Sequence, residues 1–355
     1  MIKYLKKSLI SSLIITCATM PASVVYAGNN DRAGSAGATE LLINPWGRSS
    51  GWGGANTAGV RGLEAQFTNV AGMAFTKKTE LLFAHTIYLQ GSDIKLNAFG
   101  ISQRVGESGV FGLGIMSMDF GDIPITTVDQ PEGGLGTYSP TFINIGVSYA
   151  KEFSNRIYGG ITFRLISESI SDVKASGIGF DAGVQYVTGF NTDKDNLKFG
   201  ISLKNVSAPM RFSGDGLSYR GTAPNGTTQL SVENKSDRFE LPSLIHIGIM
   251  YDAKLAVDHR LSIAVDFTAN SFTNDQFALG LEYGFKTYFM LRAGYVYEKD
   301  IFDKELRTTS SLGPCAGVTL EAPLGKGGKS FAVDYSYTST DPFTGTHSIG
   351  VRFSL

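Results

Sequence analysis

The side chains that could carry chemistry are few and poorly spaced for it. Four histidines stand at 85, 246, 259 and 347, and no two of them fall at the spacing that brings a pair onto one metal ion. There is no HExxH segment, and the two cysteines, Cys17 and Cys315, are far apart in the chain. No GxSxG elbow sets a serine beside a base. The run Ser50-Gly51-Trp52-Gly53-Gly54 superficially matches a phosphate-cradling loop. It lacks the Gly-Lys-Ser/Thr ending and no helical periodicity follows, so glycine there suits backbone that must pass close to other backbone. Neither a catalytic centre nor a metal or cofactor site is expected.

The more informative polar residues are charges set within apolar stretches: Arg164, Asp181, Asp266, Glu282, Arg292, Asp334 and Arg352. Their neighbours explain them. In 142–150, Ile143, Ile145, Val147 and Tyr149 fall on one face of an extended strand, and Asn144, Gly146, Ser148 and Ala150 on the other. The same alternation runs through 244–251, 261–268 and 331–338. Segments of about 10 to 14 residues with this period of two are the pattern of membrane-spanning strands, whose apolar face meets lipid. An arginine on the lipid face at mid-bilayer costs about 2–4 kcal/mol, so the charges should point into a lumen and pair there. Glu282 and Arg292, on neighbouring strands, are the first candidate pair. His246 falls on the lumenal face, where a hydrogen-bonded filler is the simpler reading. A structural network filling a narrow lumen is favoured over a substrate pathway. A soluble sandwich also alternates, so periodicity alone does not decide the fold.

Loop lengths and export signals decide more. Lys3, Lys6 and Lys7, the mostly apolar stretch from Ser8 to Ala18 and the small residues around Val25-Tyr26-Ala27 read as a cleaved signal peptide over 1–27. A lipoprotein cut before Cys17 is the competing reading, but Thr16 is unusual at that position. Cleavage removes three of the 31 Lys and Arg and none of the 32 Asp and Glu, leaving a net charge of about −4. That balance argues against a nucleic-acid partner. Only Cys315 remains, so no internal disulfide can form. No later apolar run approaches the roughly 20 residues of a spanning helix.

Fourteen strands are predicted, at about 79–90, 94–105, 109–120, 141–152, 156–168, 175–188, 196–206, 243–252, 258–268, 275–285, 287–298, 312–322, 329–338 and 346–355. An even number returns both ends of a single-chain barrel to the periplasm. The longest connections, 121–140, 207–242 and 299–311, all follow odd-numbered strands, whereas the turns at 106–108, 153–155 and 325–328 follow even ones. Long outside and short inside is the loop rule of outer-membrane barrels. The final strand, Ser348 to Leu355, alternates to an aromatic and a last apolar residue, as does the signal read by barrel-assembly machinery. The chain is therefore read as all-β: a transmembrane antiparallel barrel over 79–355, preceded over 28–78 by a hatch or plug, in contact with outer-membrane lipid.

The segment before the first strand carries a resemblance. Leu42-Ile43-Asn44-Pro45-Trp46-Gly47-Arg48-Ser49-Ser50-Gly51-Trp52-Gly53-Gly54-Ala55-Asn56, followed by Phe67-Thr68-Asn69-Val70-Ala71-Gly72-Met73-Ala74, resembles the N-terminal region of the PorV/PorQ family, relatives of the FadL long-chain fatty-acid transporters. Ala278 to Tyr283 and Leu291 to Tyr295 look like that family's paired strand motif. Asn69-Val70-Ala71-Gly72 stands where the family has Asn-Pro-Ala-Gly, and Trp52 replaces a usual Met, as in a divergent branch rather than the shuttle itself. The resemblance implies a FadL-like barrel of fourteen strands whose hatch includes Pro45, Trp46, Gly51, Gly53, Gly54, Asn69 and Gly72. It also implies a role in type IX protein secretion, with a translocon barrel, a cargo C-terminal domain or an attachment complex as partner.

Two functions follow. As a non-enzymatic secretion component, the barrel would bind protein through its outer loops, and loop 207–242 offers Met210, Phe212, Leu217, Tyr219 and Phe239 among polar residues. The same loop could instead fold as a lid over the barrel mouth. As a FadL-type channel, the barrel would pass small hydrophobic molecules through an apolar cavity gated by the hatch. A general porin fits poorly, because its interior should be far more polar.

Overall fold

The computed structural model describes residues 32–355 apart from 191, 192, 225 and 326. The leader expected over 1–27 lies outside the described residues. Fourteen antiparallel strands close into one barrel. In chain order they are β1 Thr79–Ile87, β2 Lys95–Val105, β3 Gly109–Asp119, β4 Thr141–Ser154, β5 Ile157–Ile170, β6 Val173–Phe190 and β7 Asp193–Ser207. The second half comprises β8 Leu244–Ala256, β9 His259–Asn270, β10 Gln276–Phe285, β11 Phe289–Glu298, β12 Ser311–Pro323, β13 Ser330–Thr340 and β14 Thr346–Ser354. Each strand pairs with the next, and β1 pairs with β14 through a register that sets Leu81 opposite Phe353 and Ile87 opposite His347. Closure leaves no strand edge bare, the condition for a sheet to cross a bilayer.

The two faces of the wall follow the alternation. On β4, Val147 points outward and is half exposed, while Asn144 and Ser148 face inward and are buried. On β5, Phe163 and Leu165 are outward and Thr162 and Arg164 inward. Outward aromatics meet across strands: Phe163 with Phe180, Phe267 with Phe277, and Phe331 with Phe353, each at ring separations of 4.7–4.9 Å. Such cross-strand pairs reinforce the register that alternation sets. No helix among the described residues is long and apolar enough to span a membrane, and the strands serve instead.

Several strands run further than the spacing suggests, notably β6 and β7 around their shared turn and β8 beyond 252. Both ends of the barrel chain, Thr79 and Leu355, meet at the end that carries the short turns, where Leu355 N–H donates to the Thr79 carbonyl at 2.8 Å. This is termed the turn end, and its opposite the loop end. At the loop end, 207–242 is not an open loop. Met210–Arg211 pairs with Arg238–Phe239, and a hairpin of Ser218–Thr222 with Gln229–Glu233 stands above them.

Residues 32–78 occupy the lumen. They begin at the loop end, where Arg32 pairs with Glu240 at 2.9 Å and Gly37 N–H donates to the Glu240 carbonyl. From there they descend through short turns at Gly47–Ser50, Ala65–Thr68 and Val70–Phe75 to the start of β1. A segment without long helix or strand can be buried because its polar backbone finds partners on the wall and in its own turns.

Candidate functional site: the plugged lumen and its two ends

The hatch is fixed to the wall by close backbone contact and by side chains that reach across. Trp46 is buried beside Leu41, Leu63 and Phe67 against Leu82, Met116 and Phe142. Pro45 is buried, and its carbonyl accepts from the Ser348 hydroxyl at 3.3 Å. Gly51 lies flat on β12: a Cβ there would stand 3.0 Å from the Gly317 Cα. Gly53 and Gly54 turn the chain with φ of +62° and +81°, a region that favours glycine. Gly72 admits no side chain, since a Cβ would meet the Val60 carbonyl oxygen at 2.2 Å. Asn69 is fully buried; its amide donates to the carbonyls of Thr57 (3.0 Å) and Val184 (3.2 Å), and its oxygen accepts from Ala71 N–H (3.2 Å). All seven of these hatch positions therefore sit inside the barrel.

The charged residues form not one network but three separate groups. On β5 and β6, Arg164 Nε donates to Asp181 at 2.6 Å, Asp181 also accepts Asn205 N–H at 2.8 Å, and Arg164 Nη2 reaches the Gln66 carbonyl of the hatch at 3.1 Å. On β9 to β14, Arg292 Nε donates to Glu282 at 2.6 Å and Nη1 to Thr319 at 2.7 Å. Arg260 also holds Glu282, and Thr319 in turn donates to Asp334. Arg352 extends the group, bonding Glu321 at 3.1 Å with Glu80 and Asp334 both 4.0 Å away. Asp266 stands apart: contrary to the expected ion pair, one carboxylate oxygen accepts the Thr57 N–H of the hatch at 2.9 Å and the other has no hydrogen-bond partner. The hatch backbone, which strand periodicity cannot place, supplies the donor that a cation was expected to supply. His246 bonds Thr268 at 2.8 Å, as befits a filler.

Sequence reasoning missed the hatch's own charges. Arg48 lies 3.4 Å from Glu64, whose other oxygen accepts from the Ser49 hydroxyl at 2.9 Å. Burial works against the Arg48 cation, but Glu64, Glu282, Asp334 and Glu321 around it outweigh that and raise its pKa. Glu80 on β1 accepts Leu63 N–H at 2.9 Å, and Lys198 pairs with Asp252 at 2.6 Å. The inward parity of Glu80, Lys198 and Asp252 was a usable signal; Arg48 and Glu64, in irregular chain, gave none.

Between hatch and wall the residual spaces are small. One of 50 Å³ lies beside Trp52 and Met250, one of 20 Å³ beside Phe67 and Arg164, and one of 10 Å³ at Arg48. About 10–15 Å³ of such space is enough for one water, so these admit a few waters but no drug-sized molecule. The larger cavities lie at the ends. At the loop end, 170 Å³ is lined chiefly by hydroxyls of β1, β13 and β14, and at the turn end a 900 Å³ vestibule opens between the barrel rim and the hatch. Among the described residues no three His, Cys, Asp or Glu side chains gather as a metal site requires.

The four loop residues considered for partner binding divide. Met210 is buried and packs over Gly177, while Phe212 and Phe239 stack at 5.4 Å and close the mouth above the apolar core. They act as a lid, because closing the mouth removes apolar surface from water. Tyr219, 57% exposed on the hairpin, alone of the four is presented outward.

No family model and no curated protein matches the chain. Among solved structures it is similar to the Pseudomonas putida toluene transporter TodX, with a TM-score of 0.55 at 11% identity, covering 88% of this chain and 97% of that one. It is likewise similar to a TodX deltaS2S3 mutant, described as a monoaromatic hydrocarbon channel, with a TM-score of 0.54 at 12% identity over 86% and 96%. A Pseudomonas aeruginosa FadL homologue matches at a TM-score of 0.47 and 14% identity over 87% and 96%. At such identities the likeness is one of fold alone: the chain is a closed β-barrel of fourteen antiparallel strands, similar in architecture to the outer-membrane-type barrel of TodX.

Proposed function

We propose that this barrel is a non-enzymatic component of outer-membrane protein secretion, of the type IX kind, which offers its loop end to protein partners while its lumen stays shut. The observation that carries this reading is the filling of the lumen: the hatch is bonded to the wall on both sides, and the spaces beside it at Trp52 and at Phe67 measure 50 and 20 Å³. A conduit for hydrophobic molecules calls for a continuous apolar cavity of several hundred Å³. Support also comes from the loop end, where apolar side chains stand in water around the closed lid. Val128 is 99% exposed, Phe302 78%, Leu306 61% and Leu230 47%. They lie on three separate loops of the same end, where aromatic and aliphatic side chains among polar ones suit a protein partner. The resemblance of residues 42–56 and 67–74 to PorV/PorQ proteins names the system.

A second reading, a channel for small hydrophobic molecules, is favoured by the likeness of fold to TodX. One experiment separates the two. The tagged barrel is extracted in mild detergent, its companions are identified by mass spectrometry, and liposomes carrying it are assayed for toluene uptake. Recovery of translocon or attachment proteins without uptake supports secretion. A solitary barrel that speeds toluene entry supports the channel and removes the first reading.

A further inference from the structure

The turn-end vestibule has a charge that neither reading uses. Its walls carry nine Lys and Arg side chains against three Asp and Glu, although the protein as a whole is slightly acidic. The acids are already engaged. Glu80 accepts Leu63 N–H and lies beside Arg352, Glu321 bonds Arg352 at 3.1 Å, and Asp258 faces Lys286 at 3.8 Å. Among the described residues, by contrast, Arg61, Lys77, Lys78 and Lys329 have no acidic partner within ion-pair distance and line the same space. Cations gathered around a water-filled concavity with low-dielectric walls focus a positive potential into it.

Position makes these cations a feature of the interior rather than of the lipid boundary. Arg260 and Arg352 stand on the inward face of their strands, and Arg61 belongs to the hatch itself. The Arg61 guanidinium lies 4.4 Å over the Phe75 ring, which fixes its plane and leaves its N–H fork free. That fork matches a carboxylate in two parallel hydrogen bonds. The unpaired cations sit on three separate pieces of chain: the hatch, the approach to β1, and the β12–β13 turn. A compact anion could engage one of these groups; an extended chain of carboxylates could engage all three. The volume, 900 Å³, lies at the upper end of ligand-pocket sizes of about 300–1,000 Å³.

We infer that the vestibule receives an extended acidic peptide segment, offered by a protein on the turn side of the membrane. The inference stands whichever function the loop end serves. It is tested with the full mature protein in phosphatidylcholine nanodiscs, which carry no net lipid charge, by fluorescence anisotropy of labelled octaglutamate at low salt. Binding is expected, weakening with added salt and weakened about tenfold or more by Arg61→Glu, Lys77→Glu and Lys78→Glu together, since like charges then face the peptide. A second variant that spares Arg61 and its contact with Phe75, Lys77→Glu, Lys78→Glu and Lys329→Glu, should act in the same direction with unaltered thermal unfolding. Reversal of Arg220 and Lys235 at the loop end should leave affinity unchanged. Three results would overturn the assignment: no binding, binding that survives both turn-end reversals, or displacement by inorganic phosphate as ready as by unlabelled octaglutamate.

Discussion

The hatch meets the two halves of the barrel by different physics. Against β1 to β6 it packs dry: Val60, Ala65, Val70, Ala71 and Met73 press on Val110, Ala150, Tyr158 and Val187, while Trp46, Leu63 and Phe67 press on Met116, Phe142 and Ile166. Against β8 to β14 the apolar contact is smaller, Trp52, Ala55 and Ala58 on Met250, Ala264 and Ala278, and charge and cavity surround it: Arg48 and Glu64 face the group around Glu282, Arg292, Asp334 and Arg352, and both larger cavities lie along this side. Packing on one side fixes where the hatch sits, since close-packed interiors leave few alternative arrangements. Ion pairs on the other side fill a lumen too wide for the hatch alone. Three charged groups interrupt the dry side: Glu80 accepts Leu63 N–H, Arg104 donates to the hatch carbonyls of Thr76 and Ala74, both at 2.8 Å, and the Arg164–Asp181 pair is sealed by the hatch through Gln66 and by Phe67, whose ring lies 5.3 Å from the guanidinium.

The sharpest way to break this contrast is to remove one charge from the wet side. Arg292→Ala should lower stability by about 3–5 kcal/mol, because Glu282 is left buried with half its partners gone. Chemical unfolding followed by tryptophan fluorescence in detergent measures it. Replacing the pair together, Arg292→Met with Glu282→Gln, should recover most of the loss; if it recovered none, the arginine would be acting through shape rather than charge. On the dry side, Gly72→Val drives a side chain into the Val60 carbonyl and should cost about 1–3 kcal/mol. Its signature should be local: residues of the hatch become open to protease while the barrel keeps its heat-resistant mobility in electrophoresis.

Asp266 lies at the seam and sharpens the comparison further. Asp266→Ala leaves the Thr57 N–H without its acceptor and should cost about 1–3 kcal/mol. Asp266→Asn keeps an acceptor oxygen and should cost less, and equal losses in both variants would show that the charge rather than the hydrogen bond holds the hatch. The smallest effect belongs to the loop end. The hydrogen bond from Arg307 holds the partly exposed Asp341 carboxyl below its ordinary pKa of 3.8, tethering 299–310 to the β13–β14 turn. A depressed folded pKa stabilises above the unfolded value and is lost as pH falls through the folded one. Hydrogen exchange in 299–310 should therefore quicken only as pH drops below about 3.8, and Asp341→Asn should abolish that dependence.

The wall was legible because strand periodicity is local. Ile143 to Tyr149 named their own face, and Glu282 could be set opposite Arg292 because a short turn joins β10 to β11 and fixes the register. The hatch was legible only as glycine and tryptophan in irregular chain: what Asn69 or Gly72 touches depends on Val184 and Val60, which no spacing rule connects to them. Loop 207–242 was ambiguous for the same reason. Met210 reads as a surface anchor until β6 brings Gly177 beneath it. The vestibule was invisible, since Arg61, Lys77 and Lys329 come together only when the barrel closes around the hatch.

Conductance in planar bilayers tests the plugged lumen most directly. The chain over residues 28–355 should insert and remain electrically silent in molar salt, whereas the same chain lacking residues 32–75 should open large, steady pores. A stable ohmic current through the intact chain would contradict a hatch that fills the barrel.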